Sequence, residues 1–224
     1  MITLCNVSKR FYARGVETVV ADRISMTFPR GLSVALLGRN GAGKSSLLRI
    51  IAGTMKPSSG QIEVEGSVSW PVGFAGSFHG DLTGSQNTRF VARIYGVDTD
   101  QLVNFVHEFS ELGDRFHLPV RSYSQGMRAR LGFALSMGIG FDTYLIDEVT
   151  AVGDAAFREK CEAALAERLA GRSAVVVSHS LGFLRRVCQA GVVIEGGRAA
   201  WYDDLGEAIR VHRDMLEAGV AEPA

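Results

Sequence analysis

The stretch GRNGAGKS at residues 38–45 restricts the possible fold of this chain more than any other, because it fits the phosphate-binding pattern G-x-x-x-x-G-K-[ST] at every fixed position. The apolar run at residues 32–37 predicts a buried strand before it, and residues 45–51 predict a helix after it. Glycines lack a Cβ, so successive backbone N–H groups can converge on phosphate oxygens at the positive end of such a helix. The stretch therefore predicts a nucleotide-binding α/β fold.

The last residues of the pattern carry side chains suited to a nucleotide and its metal ion. We expect Lys44 to reach the β- and γ-phosphates, and the Ser45 hydroxyl to bind a Mg²⁺ ion that keeps several of its own waters. The alternative is a glycine-rich turn that ends in a surface lysine, which requires strand, glycines, Lys-Ser and helix to coincide by chance. The other residues assigned to nucleotide binding in this turn are Gly38, Asn40, Gly41, Ala42, Gly43 and Ser46.

Length and charge limit the classes of protein to which the chain can belong. Its 224 residues suffice for one α/β domain over residues 1–224, and 24 basic residues balance 24 acidic ones. Such a chain has no overall field that attracts nucleic acid or an anionic bilayer. Apolar runs such as residues 174–177 are too short to span a membrane. We therefore expect a cytoplasmic protein, free of a secretory leader, that reaches a membrane only through a partner. Three widely spaced cysteines indicate reduced, buried thiols.

The first part of the chain predicts an antiparallel sheet that lies against the nucleotide, with strands at residues 2–7 and 19–28. Between these strands, Phe11 follows two cationic residues and is a candidate platform for stacking an adenine base. A buried core aromatic is the alternative for Phe11, and the residues alone do not decide between the two.

The middle of the chain predicts an inserted helical subdomain at about residues 75–135. It begins with a glycine-rich connector at residues 73–80, and helical patterns follow at residues 83–95 and 100–111. Ser124 is suited to cap a further helix over residues 125–137. We interpret this segment as a helical lobe on a hinge.

Two later strands deliver polar residues at their carboxyl ends, where parallel α/β sheets bind ligands. The strand at residues 144–146 precedes Asp147, which suits a water-mediated hold on Mg²⁺ from outside its direct ligands, and Glu148, which suits polarising the water that attacks the γ-phosphate. The strand at residues 173–177 precedes His179, a candidate γ-phosphate sensor. A solvated acidic turn and a structural histidine are the respective alternatives. A helix over residues 155–169, a hairpin around residues 196–197 and a closing helix over residues 205–216 complete the pattern.

These segments together resemble the ATP-binding subunit of an ABC transporter along nearly the whole chain. The resemblance implies an α/β P-loop ATPase core with an antiparallel β subdomain and an inserted α-helical subdomain, and an ATPase that uses ATP and Mg²⁺. The matching motifs, in the order of the family, are the Walker A at residues 38–45, the signature at residues 123–127, the Walker B at residues 144–148, the D-loop at residues 151–154 and the H-loop at His179.

The chain departs from the family pattern at three motifs. Only Ser124 and Gly126 match the usual LSGGQ signature, and the D-loop keeps Asp154 without its usual neighbours. The connector offers His79 where the family has a glutamine, and imidazole is a poorer Mg²⁺ ligand than an amide oxygen. By the resemblance, Ser124, Gly126, His79 and Asp154 all belong to the nucleotide-binding set.

Two segments narrow the resemblance to one branch of the family. The sequence DEVTAVGD at residues 147–154 and the YSQGM signature look like exporters of bacterial surface polysaccharides, and SWPVGF at residues 69–74 resembles capsule exporters. O-antigen exporters often carry an extra carbohydrate-binding domain, which we do not expect here. The resemblance implies an ATPase on the inner face of the bacterial inner membrane, held there by an integral membrane permease. It also implies a head-to-tail homodimer in which Ser124 and the N–H groups at residues 125–126 bind the γ-phosphate held by the other copy's Lys44.

Two other classes of protein share part of this pattern. Soluble ABC ATPases of translation or DNA repair usually fuse two cassettes or insert a long coiled coil, and the neutral charge of this chain leaves no basic stripe for a nucleic acid. A small-molecule P-loop kinase has no use for the Ser124 signature or for the switch at His179. The sequence therefore favours the export ATPase, with no nucleic-acid partner.

Overall fold

The computed structural model describes residues 1–13, 15–72, 78–148 and 154–218. The chain divides into two compact units. The first comprises Met1–Pro71, Asp142–Glu148 and Leu169–Ala224, and the second comprises Val72–Phe141 and Val149–Arg168. The predicted extents of the domain and of its inserted helical subdomain stay predictions.

The secondary structure begins with three strands and then mixes strands and helices along the described chain. Two short 3₁₀ turns lie between the third and fourth helices, at Gly113–His117 and Val120–Ser122. In chain order the main elements are β1 (Ile2–Ala13), β2 (Val16–Phe28), β3 (Ser33–Gly38), α1 (Lys44–Ile51), β4 (Ser59–Val64), β5 (Val68–Pro71), α2 (Gly84–Tyr95), α3 (Thr99–Ser110), α4 (Gln125–Gly138), β6 (Thr143–Asp147), α5 (Ala155–Leu169), β7 (Ser173–Val177), α6 (Leu181–Val187), β8 (Ala190–Glu195), β9 (Arg198–Tyr202) and α7 (Leu205–Ala218).

A six-stranded sheet with the order β5-β6-β7-β3-β8-β9 forms the centre of the first unit. Every pair in it is parallel except β8 with β9, which form the predicted hairpin. All five residues of β7 are buried, and so are the first five residues of β3. Strands covered on both faces read as continuous apolar runs, which is why these two were recognisable from the sequence.

A separate antiparallel sheet in the same unit has the strand order β2-β1-β4. One face of it supplies Ile2, Leu4 and Phe28 to a core shared with β3, α1 and β8. The predicted antiparallel strands are therefore present, and they are longer than the apolar alternation indicated. Apart from Ser8 and Lys9, their extra length is exposed, so hydrophobic patterning carries no signal for it.

The second unit is helical, and side-chain caps define where its helices begin. Thr83 forms a capping box with Gln86 at the start of α2, and the Asp98 carboxylate accepts from the N–H of Gln101 in α3. The predicted cap of α4 is also present, because the hydroxyl of Ser124 accepts from the N–H of Met127. All residues from 131 to 137 of α4 are buried, so the buried surface exceeds the single predicted face.

Several elements were not predicted. Helix α6 has seven residues, and strand β5 has four and ends at a proline, so each is too short for a clear periodic signal. Residues 73–77 of the predicted connector, residues 151–153 of the D-loop motif and residues 221–224 at the end of the chain lie outside the described residues.

Two of the three cysteines match the prediction of buried thiols. Burial raises the pKa of Cys161 and of Cys188 to about 12, which keeps both groups as unreactive thiols at neutral pH. Cys5 is exposed, so the prediction is wrong for that residue. All three cysteines are free.

Helix α7 packs against β8 through the position of Gly191. A Cβ added at Gly191 would overlap the Cβ of Ala208. We expect Gly191→Ala to lower the free energy of unfolding by about 1–3 kcal/mol, the usual cost of overpacking a close contact. Urea unfolding followed by circular dichroism measures the change.

The compensating variant is Gly191→Ala with Ala208→Gly. Removing the opposing methyl should restore part of the lost stability, although glycine within α7 itself costs about 1 kcal/mol. If the two changes destabilise additively, the contact between Gly191 and Ala208 does not limit the packing of α7.

Candidate functional site

A pocket of about 440 Å³ lies in the first unit where the carboxyl ends of β6 and β7 approach the start of α1. Parallel strands bring their following residues together at one edge of the sheet, as expected for an α/β ligand site. The lining residues that were predicted from the sequence are Asn40, Gly41, Gly43, Lys44, Ser45, Ser46, Asp147, Glu148 and His179. These residues, which lie far apart in the sequence, therefore line one contiguous pocket.

The turn between β3 and α1 requires glycine at Gly43. This residue is the N-cap of α1 with φ 100°, a left-handed conformation that favours glycine. A Cβ there would lie 2.5 Å from Val20 Cγ1 and 2.7 Å from the Val20 carbonyl oxygen. Val20 belongs to β2, so the antiparallel sheet packs directly against the turn. The missing side chain lets the backbone pass between β2 and the pocket.

Lys44 begins α1 and points back across the turn. Its Nζ donates to the carbonyl oxygens of Gly38 at 2.7 Å and Arg39 at 2.9 Å. Burial lowers the pKa of Lys44, while the carboxylates of Asp147 and Glu148 raise it. The ammonium therefore lies in a partly dehydrated pocket where an anionic ligand would be strongly stabilised.

Ser45 and Asp147 bring two oxygen atoms together in the pocket. The Ser45 hydroxyl donates to Asp147 Oδ1 at 3.1 Å, although 102 positions separate the residues in sequence. Hydroxyl and carboxylate oxygens are the donors that a hard divalent cation prefers. The two residues assigned to a metal by the sequence are thus neighbours, and their chemistry fits Mg²⁺.

Glu148 has a left-handed backbone conformation with φ 53°, which is uncommon for a residue other than glycine. Its N–H donates to the Val177 carbonyl oxygen at 3.0 Å, a hydrogen bond that holds the strained residue beside β7. Its Oε1 lies 3.6 Å from His179 Nε2. Backbone strain at a residue held in this way is typical of functional positions. The geometry brings the candidate base and the candidate sensor side by side.

A smaller cavity of about 250 Å³ adjoins the same turn in the first unit. It is lined by Gly38 and Ala42 from the turn and by His212 from α7. Burial lowers the pKa of His212, and the charge of Lys44 lowers it further. His212 and the pocket-lining Val20 were missed, because an isolated histidine in an amphipathic helix and a valine in a strand carry no sequence signal of a ligand.

Phe11 lies in β1 opposite Thr18 of β2 and is 40% exposed. The alternative that Phe11 is a buried core aromatic is therefore wrong. The ammonium of Lys9 lies 5.0 Å from the centroid of its ring, a cation–π distance. An exposed ring with a cation nearby is available for stacking, and the adenine platform stays a prediction.

The remaining candidates belong to the second unit. Ser124 caps α4, and a Cβ added at Gly126 in the first turn would meet only the Ser124 hydroxyl, at 3.9 Å. His79 Nδ1 accepts from the N–H of Asp81 at 3.3 Å, and Asp154 Oδ1 accepts from the N–H of Phe157 at 3.0 Å. In the described structure, Ser124, His79 and Asp154 thus each accept a hydrogen bond from a backbone N–H of their own loop or helix start.

The ABC transporter family model matches residues 21–151. The chain belongs to the ABC transporter family. The predicted ABC ATPase, an enzyme that binds and hydrolyses ATP in a transport system, is confirmed by this match. The matched range contains both the phosphate-binding turn and the capped start of α4.

Two curated relatives match this ABC ATPase over almost their entire length. The capsule polysaccharide export ATP-binding protein CtrD of Neisseria meningitidis is 46% identical over 96% of this chain and 100% of the relative. The polysialic acid transport ATP-binding protein KpsT of Escherichia coli is 46% identical over 96% of this chain and 99% of the relative. The predicted resemblance to the polysaccharide-export branch is confirmed, and these relatives do not support a soluble ABC ATPase of translation or DNA repair.

The solved structures agree with the fold of the ABC ATPase. The dimeric post-hydrolysis state of the ATP-binding cassette MJ0796 bound to ADP and Pi superposes with a TM-score of 0.77 at 20% identity, over 92% of this chain and 99% of that one. The predicted α/β fold with an antiparallel sheet and added helices is therefore confirmed. Within the described residues, no helix combines the length and the apolar character needed to cross a membrane.

Gly43→Ala tests whether the close approach of β2 shapes the nucleotide site. The added methyl meets Val20 and forces the turn to move, so we expect the affinity for ADP to fall by about tenfold or more, a loss of roughly 1.4 kcal/mol. Fluorescence titration with a labelled ADP measures the affinity.

Gly41→Ala is the matched control. Gly41 also has a left-handed backbone, with φ 81°, but a Cβ there would have no neighbouring atom within 4 Å. Its variant carries the backbone strain without the collision and should bind ADP more tightly than Gly43→Ala. Equal losses in the two variants would assign the effect to backbone strain alone.

Proposed function

We propose that this chain is the ATP-hydrolysing subunit that powers export of a bacterial surface polysaccharide through a separate membrane permease. The observation that carries the proposal is the similarity, over nearly the whole chain, to ATP-binding proteins named for capsule polysaccharide export and polysialic acid transport. The pocket in the first unit supports it, since its residues fit each requirement of ATP hydrolysis.

Lys44 and the turn before it would bind the phosphates. In the proposed complex, phosphate oxygens replace the carbonyl oxygens of Gly38 and Arg39 as acceptors for the ammonium. The N–H groups at the start of α1 would bind the same phosphates, with no carboxylate in the first turn to repel them. Asn40 and Ser46 line the same pocket and complete the binding set.

The Ser45 hydroxyl would hold Mg²⁺ directly, and the Asp147 carboxylate would hold it through a bound water. When bound, this ion would neutralise charge on the transferred phosphoryl group. Because the two oxygens already lie 3.1 Å apart, little movement of either side chain is needed.

Glu148 would orient and deprotonate the water that attacks the γ-phosphate, with His179 sensing that phosphate. The carboxylate and the imidazole lie side by side, so both side chains can reach the same phosphate and its attacking water. The strained backbone of Glu148 holds its side chain at the pocket. Phe11 would stack on the adenine base.

The four candidates on the second unit would act when two copies meet head to tail. The hydroxyl of Ser124 and the N–H groups at the start of α4 would bind the γ-phosphate held by the partner copy. Gly126 leaves open space beside that helix start, which allows close approach. His79 would act at the hinge of the helical unit, and Asp154 would act at the contact between the two copies.

A permease in the bacterial inner membrane would be the second partner. The helical second unit would transmit closure and reopening of the dimer to it, and the chain would work on the cytoplasmic face of that membrane. The described chain offers no spanning helix of its own, which fits attachment through a partner.

The ATPase proposal predicts different results for two variants of the pocket. Lys44→Ala should abolish hydrolysis of MgATP and weaken nucleotide binding, because the charge that balances the phosphates is gone. Glu148→Gln should keep nucleotide binding and lose about a hundredfold or more in turnover, because the amide cannot act as a base. Phosphate release and binding of a labelled nucleotide measure the two properties.

Lys56→Ala is the control for the loss of a lysine, because Lys56 is exposed and does not line the pocket. It should match the parent in both assays. Turnover at the parental rate in Lys44→Ala would refute the assignment of this pocket.

The split site predicts that ATP drives dimerisation. A chain with ADP should be largely monomeric, and Glu148→Gln with MgATP should dimerise, because the shared ligand is no longer discharged. Adding Ser124→Arg should block the dimer by filling the docking position while ATP still binds each copy. Sedimentation velocity measures the populations.

Gln101→Arg in the same background is the matched control, since it adds the same side chain to an exposed position of α3. It should leave the dimer intact. A dimer that forms equally with and without ATP, or that tolerates Ser124→Arg, would show that the copies meet through another surface.

A further inference from the structure

Four charged side chains and two aromatic rings form a cluster within the second unit, which we term the Arg130 cluster. Its members come from the end of α3, the second turn of α4 and the start of α5. They are Phe109, Glu111, Arg130, Asp154, Phe157 and Lys160. Two cations and two carboxylates balance in it, so it carries no net charge.

Arg130 is the centre of the cluster. Its Nη1 donates to Glu111 Oε2 at 3.1 Å, and its Nη2 donates to Asp154 Oδ2 at 2.9 Å. The guanidinium lies 4.1 Å from the centroid of the Phe157 ring, and only 18% of the side chain is exposed. A planar group that bridges two carboxylates and stacks on a ring is a role that lysine cannot reproduce.

Glu111 occupies a backbone position that sequence rules assign to glycine. It is the C-cap of α3 in the left-handed conformation, with φ 54°. Its two carboxylate oxygens bind different cations, Oε2 that of Arg130 and Oε1 that of Lys160 at 2.7 Å. These ion pairs give a physical reason for a side chain at a position where glycine would be less strained.

Asp154 uses both of its oxygens inside the unit. Oδ1 accepts from the Phe157 N–H and caps α5, while Oδ2 is held by Arg130. The hydrogen bond from the Phe157 N–H is the main cause that lowers the pKa of Asp154 below its usual range. The positive charge of Arg130 lowers this pKa further. The carboxylate is therefore ionised at neutral pH and joins the start of α5 to α4.

We infer that Arg130 is a positioning residue, which acts through Asp154 to hold the start of α5 in register with the helix that begins at Ser124. This inference rests on the proposed function, in which Ser124 docks on the partner's γ-phosphate. Arg130 lies six residues after Ser124, less than two turns along α4. A loose α4 would present its helix start to the phosphate in several orientations. Ordering that helix on association would cost binding free energy and weaken the dimer.

Two similar ion pairs of the Arg130 cluster differ in the effect on the dimer that the positioning role predicts. The pair of Arg130 with Asp154 links α4 to the start of α5, whereas the pair of Lys160 with Glu111 links α5 to the end of α3. Only the first involves the helix that carries Ser124. A general contribution to stability would make both pairs matter equally for the dimer, and a positioning role makes only the first matter.

The test measures the MgATP-dependent dimer in the Glu148→Gln background by sedimentation. Arg130→Gln and Asp154→Asn should each raise the dimer dissociation constant by about tenfold, the usual range for one pair in a network. The asparagine oxygen still accepts from Phe157, so the cap of α5 survives. The double variant should form a dimer no weaker than that of Arg130→Gln, because Arg130→Gln already removes the ion pair that Asp154→Asn removes.

Lys160→Gln is the matched control and should leave the dimer dissociation constant unchanged, even if it lowers the melting temperature. Binding of a labelled nucleotide to the monomer should be the same in Arg130→Gln, Arg130→Lys and Lys160→Gln. Arg130→Lys should not restore the dimer, because one ammonium cannot bridge both carboxylates.

Each contrary result has a distinct meaning. A Lys160→Gln dimer weakened as much as the Arg130→Gln dimer would overturn the positioning role in favour of general stability. Additive losses from Arg130→Gln and Asp154→Asn would show that Arg130 does not act through Asp154. If Arg130→Gln fails to fold, Asp154→Asn and its control decide the question alone. If Glu148→Gln itself forms no dimer with MgATP, the proposed function fails and the inference falls with it.

Discussion

The parallel pairing of β6 with β7 and of β7 with β3 is the constraint on which the candidate phosphate pocket depends. In this register Asp147 lies opposite Val177, so the carboxylate and the start of the His179 turn leave the sheet at the same edge. Side chains alternate between the faces of a strand, and a slip of one residue would turn Asp147 away from Ser45. The apolar residues that fill both faces of β7 fix the register, so packing of the core positions the polar chemistry.

Partial burial of a charge and backbone strain coincide at the pocket. The turn at Gly43 packs closely against β2, and the ammonium of Lys44 is partly dehydrated. Glu148 has a left-handed backbone conformation beside β7. The dehydration of the Lys44 ammonium and the backbone strain at Glu148 cost stability in the absence of a ligand. An anionic, metal-bound nucleotide would offset the cost for Lys44 and the neighbouring carboxylates, which is why we regard them as one site.

In the second unit, polar side chains fix the orientation of the helix starts. Ser124 and Asp154 cap α4 and α5, so in each helix a short side chain accepts from one of the N–H groups that a helix start leaves unpaired. Arg130 then joins the two helices through the carboxylate that already serves as a cap. An arginine bridge between helices fixes their relative orientation more firmly than apolar contacts alone, since its hydrogen bonds are directional.

The sequence by itself determined the elements whose causes are local. The phosphate-binding turn follows from its glycines and Lys44, the start of α4 from the cap at Ser124, and the bounds of α5 and β7 from hydrophobic periodicity. The tertiary structure alone decided what depends on residues far apart in the chain. It set the contact between Ser45 and Asp147, the exposure of Phe11, and the bridge from Arg130 to Asp154, because pattern and propensity carry no information about which distant side chains the packed core will bring together.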